Sequence, residues 1–324
     1  RKPFTDIAHA HGKPVLVALG GWGATQWNAA CTEPALTNFI NNVLKLIDVD
    51  GFDGIDMDVE PFGNSGTNDT AHVGPFLRRL YDSLQTRTNL YTGTGKPKLT
   101  AAILPGWAGQ FWVKHEAIMD QINIMTYDMG NSLGFGVDRT WHNNGIFCPT
   151  PYSYSSGTNR YYESVQKRYD GYVSAKGGSP AKTGIGIDFN GVLYRGGRSA
   201  SKLDQGVSAP AEIWSTAPTI TWDYNFNEMF PAFLDTATSA SKRYDSANHG
   251  AYLSIVKPAS QASDPSMPWL DDMFLSYTDS AQIQRLIRFV RDSSAGGVIL
   301  WNIGEGYLPS QYQNRDRMLQ YVKA

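Results

Sequence analysis

Residues 51–60 read Gly51-Phe52-Asp53-Gly54-Ile55-Asp56-Met57-Asp58-Val59-Glu60. With the two-residue period of a β-strand, Asp56, Asp58 and Glu60 point to one face and Ile55, Met57 and Val59 to the other. The apolar face can pack on helices. The acidic face has to meet something polar, because ionised carboxylates buried without partners are costly. Acids two residues apart on a strand lie about 7 Å apart and repel. At least one of the three is therefore expected to hold a proton or a strong hydrogen bond at neutral pH. A solvated edge strand would not need three apolar residues on its reverse face. An EF-hand loop starting at Asp56 would need Gly at its sixth position, where Pro61 stands. Chemistry alone leaves three readings, in this order: a carboxylate catalytic site, a divalent metal site on the strand, and a structural acidic face.

The chain around this stretch has 324 residues, which fits one large α/β domain. Its formal net charge is −2, from 28 basic and 30 acidic residues, so nothing draws it electrostatically to nucleic acid or to an anionic membrane. No apolar run reaches the ~18 residues of a membrane span. The sequence opens Arg-Lys-Pro without a visible signal peptide, in keeping with a leader that has been removed. Two cysteines exclude a disulfide-rich scaffold and leave room for one bond.

Residues 14–21 form a short apolar run that reads as a buried parallel strand. Over 34–47, Leu36, Phe39, Ile40, Val43, Leu44 and Ile47 recur at three and four and predict a helix. Thr32 is its expected cap, with Pro34 in the first turn. After the acidic strand come a helix over 75–84, strands over 98–105 and 121–128, a tyrosine-rich helix over 161–175 and a strand over 183–189. Between about Gly191 and Lys257 the alternation breaks; 219–226 and 250–256 read as strands, with an irregular helix between them. It resumes with a helix over 279–292, with Ser280 near its cap, a strand over 298–301 and a final helix around 318–322. Apolar strands alternating with helices predict a parallel sheet. Gly20, Glu60, Pro105, Asp128 and Trp301 all fall at the C-terminal ends of predicted strands, the face on which (β/α)8 barrels carry their active sites.

Asp53–Glu60 also resembles the DGxDxDxE signature of glycoside hydrolase family 18, the chitinase family. Three further pieces stand in that family's order. Ala18-Leu19-Gly20-Gly21-Trp22 resembles its SxGGW motif. Asn123-Ile124-Met125-Thr126-Tyr127-Asp128 resembles its strand-six MxYD motif. Gly297-Val298-Ile299-Leu300-Trp301 resembles the strand-eight segment ending in the tryptophan of the sugar-binding floor. Trp222-Asp223 and the Tyr252-Leu253 segment resemble the insertion between strands seven and eight. The resemblance runs from about Pro14 to the C-terminus. It implies an α/β fold, a TIM (β/α)8-type barrel, with an α+β insertion before the last strand. Because the GG motif ends strand three in the family, the first two βα units are expected to be lacking in this chain, leaving the last six in order. Residues 1–324 then make a single catalytic barrel domain, with 191–257 as a wall of the substrate groove.

The resemblance implies a secreted, monomeric chitinase that hydrolyses β-1,4-linked N-acetylglucosamine polymers with retention. Its partners would be chitin or chito-oligosaccharides, with no nucleic acid and no membrane. Glu60 would protonate the glycosidic oxygen. The substrate's acetamido oxygen would attack the anomeric carbon and form an oxazolinium intermediate. Asp58 would orient the acetamido group, Tyr127 and Asp128 would contact it, and Asp56 would act as a charge partner. Trp301 would floor the bound sugar, and Met125 would shape the pocket. Trp22, Trp107, Trp141 and Trp222 are candidate sugar platforms, each equally readable as packing. No cofactor is implied, and no metal: His115 and His142 lack metal-ligand spacing and read as ordinary polar residues. An endo-β-N-acetylglucosaminidase acting on N-glycans shares the acidic signature. A chitin-binding lectin is the non-catalytic alternative, although such proteins commonly lose the acid at the position of Glu60.

Three departures stand out. Ala18 replaces the family's usual serine, and the missing first strand takes away a tyrosine. Both would donate towards Asp56, so that carboxylate is expected to be poorly stabilised as an anion. Asp188-Phe189-Asn190-Gly191 stands where the family has Tyr-Gly-Arg. Finally, Cys31 follows the GGW loop and Cys148 follows the MxYD strand, so a disulfide between them is an expectation.

Overall fold

The computed structural model describes residues 2–323 apart from 64–65, 67, 107, 131–137, 154–158, 161 and 239–240. The chain forms two compact units. The first holds Arg1–Met125, Tyr169–Gly184 and Ala295–Gly297; the second holds Thr126–Arg168, Ile185–Ser294 and Val298–Ala324.

The first unit opens with α1 (Lys2–Ala10), β1 (Leu16–Gly21), α2 (Ala35–Asp48) and β2 (Gly54–Val59). It continues with α3 (Thr70–Gln85), β3 (Lys98–Ile103), α4 (Gly109–His115) and β4 (Gln121–Ile124). Strands β1 to β4 pair in parallel, each with the next, so Ala18 lies opposite Asp56 and Asp56 opposite Thr100. The α2 stripe buries Leu36, Ile40, Val43, Leu44 and Ile47, each contributing roughly 1.5–3 kcal/mol of burial. Its start differs from expectation. No side chain caps Pro34, and the Thr32 hydroxyl donates back to Asn28 O at 2.7 Å. The Glu33 carboxylate takes the first turn instead, accepting from Thr37 N at 3.3 Å and from Thr37 Oγ1 at 2.8 Å. Helix α3 starts five residues before Pro75 because Asp69 caps it, accepting from His72 N at 3.0 Å. Phe39 of α2 stacks on Phe76 of α3 with ring centroids 4.7 Å apart.

Two elements continue from one unit into the other: α5 (Val165–Lys176) and β5 (Thr183–Asp188). Phe189 alone separates β5 from β6 (Asn190–Arg195). Then follow β7 (Thr219–Asn225), β8 (Lys242–Asp245), β9 (Gly250–Ile255), β10 (Met273–Tyr277), α6 (Ser280–Asp292), β11 (Gly297–Trp301) and α7 (Arg317–Lys323). The main sheet has six strands in the order β1-β2-β3-β4-β5-β11, the serial order that strand–helix alternation predicts. A second sheet has five strands in the order β7-β6-β10-β9-β8, antiparallel at every pairing. Strands β7 and β9 match the sequence reading; β6, β8 and β10 do not appear in it. Val192, Tyr194, Val207 and Phe274 form a buried cluster in this unit, with Trp214, Ile220 and Tyr252 against it. The cap of α6 is Asp279, which accepts from Gln282 N at 2.8 Å, rather than Ser280.

The expected disulfide is absent: Cys31 and Cys148 are free, buried thiols. Burial pushes the Cys31 thiol up to about 12 and raises that of Cys148, so neither is poised to react. Among the described residues, no helix is long and apolar enough to cross a membrane.

Candidate active site

In the first unit, β2 alternates as its sequence dictates. Ile55, Met57 and Val59 are buried, while Asp56, Asp58 and Glu60 are partly open. The close approach of β1 requires a glycine opposite Asp58. Gly20 has φ 117°, and a Cβ there would stand 1.8 Å from the Asp58 carbonyl oxygen. Asp56, which lacks a serine partner at Ala18, receives a hydrogen bond from the Thr100 hydroxyl on β3. Burial still dominates and pushes the Asp56 carboxyl up to about 6; the Thr100 bond opposes this, and the charge of Asp58 adds to it. Burial also raises the Asp58 carboxyl, against a hydrogen bond shared with Glu60. Asp58 Oδ1 is buried and has no hydrogen-bond partner among the described residues. That oxygen is an acceptor waiting for a donor.

Glu60 follows the end of β2, and its backbone is tied down by Asn68. The Asn68 amide donates to Ala24 O at 2.8 Å, to Pro61 O at 3.1 Å and to Glu60 O at 3.3 Å. Its carbonyl oxygen accepts from Trp27 N at 3.4 Å. One buried amide thus joins the loop after the glycine pair to the turn carrying Glu60. Asp53, the first acid of the motif, does a different job. Its Oδ2 accepts from Val15 N at 2.6 Å and lies 2.8 Å from His9 Nε2, anchoring the start of β2. Trp22 is 67% exposed beyond β1. Met125 is buried, its N donating to Ile103 O at 2.9 Å. Trp107 lies outside the described residues. His115 ends α4 with Nδ1 2.8 Å from Phe111 O of the same helix.

The second unit carries the other predicted residues. Tyr127 is buried, and its carbonyl accepts from Arg168 Nη1 of α5 at 2.7 Å. Asp128 turns the chain with φ 55°, a conformation that Asp tolerates better than most residues. Burial, then the charge of Asp223, push its carboxyl up to about 7; Arg168 pulls the other way, while a hydrogen bond with Asp223 and the charge of Glu305 add to the rise. Asp188, at the end of β5, is fully buried and is held well above the ordinary carboxyl range by burial and then by Asp128. It accepts from Asn143 Nδ2 and from Asn144 Nδ2, each at 2.5 Å. Gln282 braces the second amide, donating to Asn144 Oδ1 at 2.5 Å. Trp301 ends β11 and is 49% exposed, a free face for a ring to stack on. Trp222 is 36% exposed. Trp141 is core packing: it is buried, its ring lies 4.7 Å from that of Tyr162, and Nε1 donates to Glu163 O. His142 is also fully buried, with Nε2 3.0 Å from Asp245 Oδ2. Among the described residues, no group of three His, Cys, Asp or Glu side chains is arranged to hold a metal ion.

Thr100, Asn68, Glu305, Asn143, Asn144 and Arg168 are absent from the sequence reading, and Asp188 and Asp223 appear in it without a site role. Those two had a visible signal, since Asp188 opens the segment that departs from Tyr-Gly-Arg and Asp223 stands in the Trp222-Asp223 pair. The rest come from strand register or from contacts far apart in the chain. Chemically, the first unit offers two carboxyls joined by a hydrogen bond, Glu60 and Asp58, with one Asp58 oxygen open. The second offers a phenol and a carboxyl set beside an arginine.

The family model described as glycosyl hydrolases family 18 matches residues 1–306. Mouse chitotriosidase-1 is 25% identical over 301 residues, which cover 88% of this chain and 57% of the mouse protein. The chain spans less than two thirds of the length of the curated relatives it matches. A family 18 N-acetylglucosaminidase from Paenibacillus barengoltzii shares the fold with TM-score 0.71 and 17% identity over 99% of this chain and 85% of that one. So does a chitinase-like agglutinin from Robinia pseudoacacia, with TM-score 0.68 and 17% identity over 99% of this chain and 84% of that one.

Proposed function

Because the chain belongs to glycosyl hydrolases family 18, we propose that it hydrolyses β-1,4-N-acetylglucosamine linkages in chitin or chito-oligosaccharides, by substrate-assisted catalysis with retention. The observation that carries this reading is the Asp58–Glu60 hydrogen bond beside an Asp58 oxygen with no donor. Glu60 gives its proton to the glycosidic oxygen, and the leaving sugar departs with the electron pair of the broken bond. The substrate's acetamido oxygen attacks the anomeric carbon and forms an oxazolinium ion. Asp58 accepts the acetamido N–H at its open oxygen and balances the developing positive charge. Tyr127 steadies the acetamido oxygen with its hydroxyl, and Asp128 orients the sugar. Asp56 sets the charge of Asp58. Water then opens the ring, giving its proton to Glu60, and two displacements at one carbon restore the β configuration. Trp301 floors the reacting sugar. Trp22 and Trp107 are further platforms, and Met125 shapes the pocket wall.

In this reading the six-stranded sheet is the last six βα units of a (β/α)8-type barrel, and residues 191–257 wall the substrate groove of a single catalytic domain. The protein is secreted and acts as a monomer, without cofactor.

Incubation with chito-oligosaccharides, followed by mass spectrometry and anomer-resolved NMR of the first products, tests the proposal. The expected result is shorter chito-oligosaccharides released as β-anomers. An α-anomer as first product sinks the mechanism. Binding without cleavage would favour a lectin, and cleavage of N-glycans alone an endo-β-N-acetylglucosaminidase.

A further inference from the structure

We propose that Arg168 is a positioning residue for the Tyr127–Asp128 turn: from α5 its guanidinium fixes the Tyr127 carbonyl and presents its positive charge to the Asp128 carboxyl. The inference rests on the hydrolase reading for its effect on turnover. The turn needs such support. Asp128 is in the left-handed region, and its carboxyl is crowded by other acids. Among the described residues, Asp223 and Glu305 act on it with negative charge, and Arg168 is the cation that opposes them.

The arginine is itself held. Ser164 Oγ accepts from Lys167 N at 3.1 Å and begins α5. Glu163, immediately before it, accepts from Arg168 Nε at 3.0 Å and pairs with Lys167 Nζ at 2.8 Å. The guanidinium is buried, with Nη1 donating to Tyr127 O at 2.7 Å. A planar fork can serve Glu163 on one edge and the Tyr127 carbonyl on another. An ammonium, being a point charge, cannot do so with the same geometry. The segment Asp188-Phe189-Asn190-Gly191 at the end of β5 holds no arginine. The positive charge arrives from a helix that precedes β5 in the chain.

Arg168→Gln and Arg168→Lys test this, with circular dichroism melts confirming that each variant is folded at the assay temperature. The first readout is the titration midpoint of Asp128, followed by the carboxyl 13C shift in protein labelled at aspartate and assigned by its loss in Asp128→Asn. Arg168→Gln is expected to move that midpoint up by about half a pH unit or more, and Arg168→Lys to restore most of it. The second readout is hydrolysis of a chromogenic chito-oligosaccharide. Turnover should fall about 10-fold in Arg168→Gln with a smaller change in KM, and it should stay low in Arg168→Lys, which keeps the charge and loses the fork. An unmoved midpoint in folded Arg168→Gln overturns the inference, whatever the activity. Wild-type protein without hydrolysis overturns the hydrolase reading alone, because the Asp128 midpoint still reports on the arginine.

Discussion

On β2, Asp56 and Asp58 have oxygen partners. Asp56 meets the Thr100 hydroxyl, and Asp58 meets the Glu60 carboxyl. In the second unit, Asp188 is gripped by two asparagine amides, and Asp128 has a guanidinium beside it as well as a second carboxyl. Both groups contain carboxyls pushed upward by burial. They differ in what opposes burial. A hydroxyl gives one hydrogen bond and no net charge, and burial still holds the Asp56 carboxyl at about 6. Amides and a cation give direction and charge, which suits acids that hold geometry. Sets of acids that look alike by composition are thus suited to different work, and the partner decides which.

The largest expected effect breaks or upholds the proton-handling side of this contrast. Glu60→Gln keeps shape and polarity but has no proton to give, so hydrolysis should fall by ~10²–10⁴-fold. Chito-oligosaccharide binding, read by calorimetry, should persist. Full activity in this variant would remove Glu60 from the chemistry. Asp58→Asn should reduce turnover by about 10²–10³-fold, the scale of one lost electrostatic support in a transition state. A change confined to KM would show that Asp58 only binds.

The geometry-holding side predicts a stability effect. Asn144→Ala leaves the buried Asp188 short of one amide and should cost about 1–3 kcal/mol in urea denaturation. An unchanged midpoint would mean that the amide grip is dispensable. The pH dependence of Asp56 follows from its raised carboxyl. The folded state holds that proton to about pH 6, whereas the unfolded chain releases it near 3.8. The folded protein therefore binds more protons between these values, so stability falls as pH rises through that window and stays reduced above it. Asp56→Asn should gain about 3 kcal/mol above pH 6 and little below pH 3.8. A gain that does not vary with pH would show that titration is not its source. The smallest effect is Thr100→Val, which keeps volume and removes the hydroxyl. It should cost about 1 kcal/mol in pairing with ionised Asp56 and move that group's midpoint further up. An unmoved midpoint would leave Asp56 governed by burial and Asp58 alone.

Much of the first unit was legible because its signals are local. Strand period alone put Ile55, Met57 and Val59 inside and left Asp56, Asp58 and Glu60 partly open. The three-and-four spacing found α2. The caps were less readable, because Thr32, Glu33 and Pro34 compete within three residues and the outcome depends on which side chain reaches Thr37. In the second unit β6 and β10 were invisible. They pair with each other across some eighty residues of chain, and their burial comes from neighbours far away in sequence. Asp128 could be named from its motif; that Asp223 and Glu305 act on it could not.

The sequence by itself determined the alternating acidic strand, the serial order of the main-sheet strands and the family, since each follows from periodicity or from a contiguous motif. The tertiary structure decided which acids receive help and from where. Thr100 reaches Asp56 because parallel register sets β3 beside β2. Arg168 reaches Tyr127 because α5 returns to the turn after forty-one residues. Carboxyl protonation depends on burial, nearby charge and hydrogen-bond donors within a few ångströms. Those distances exist only once the chain has folded.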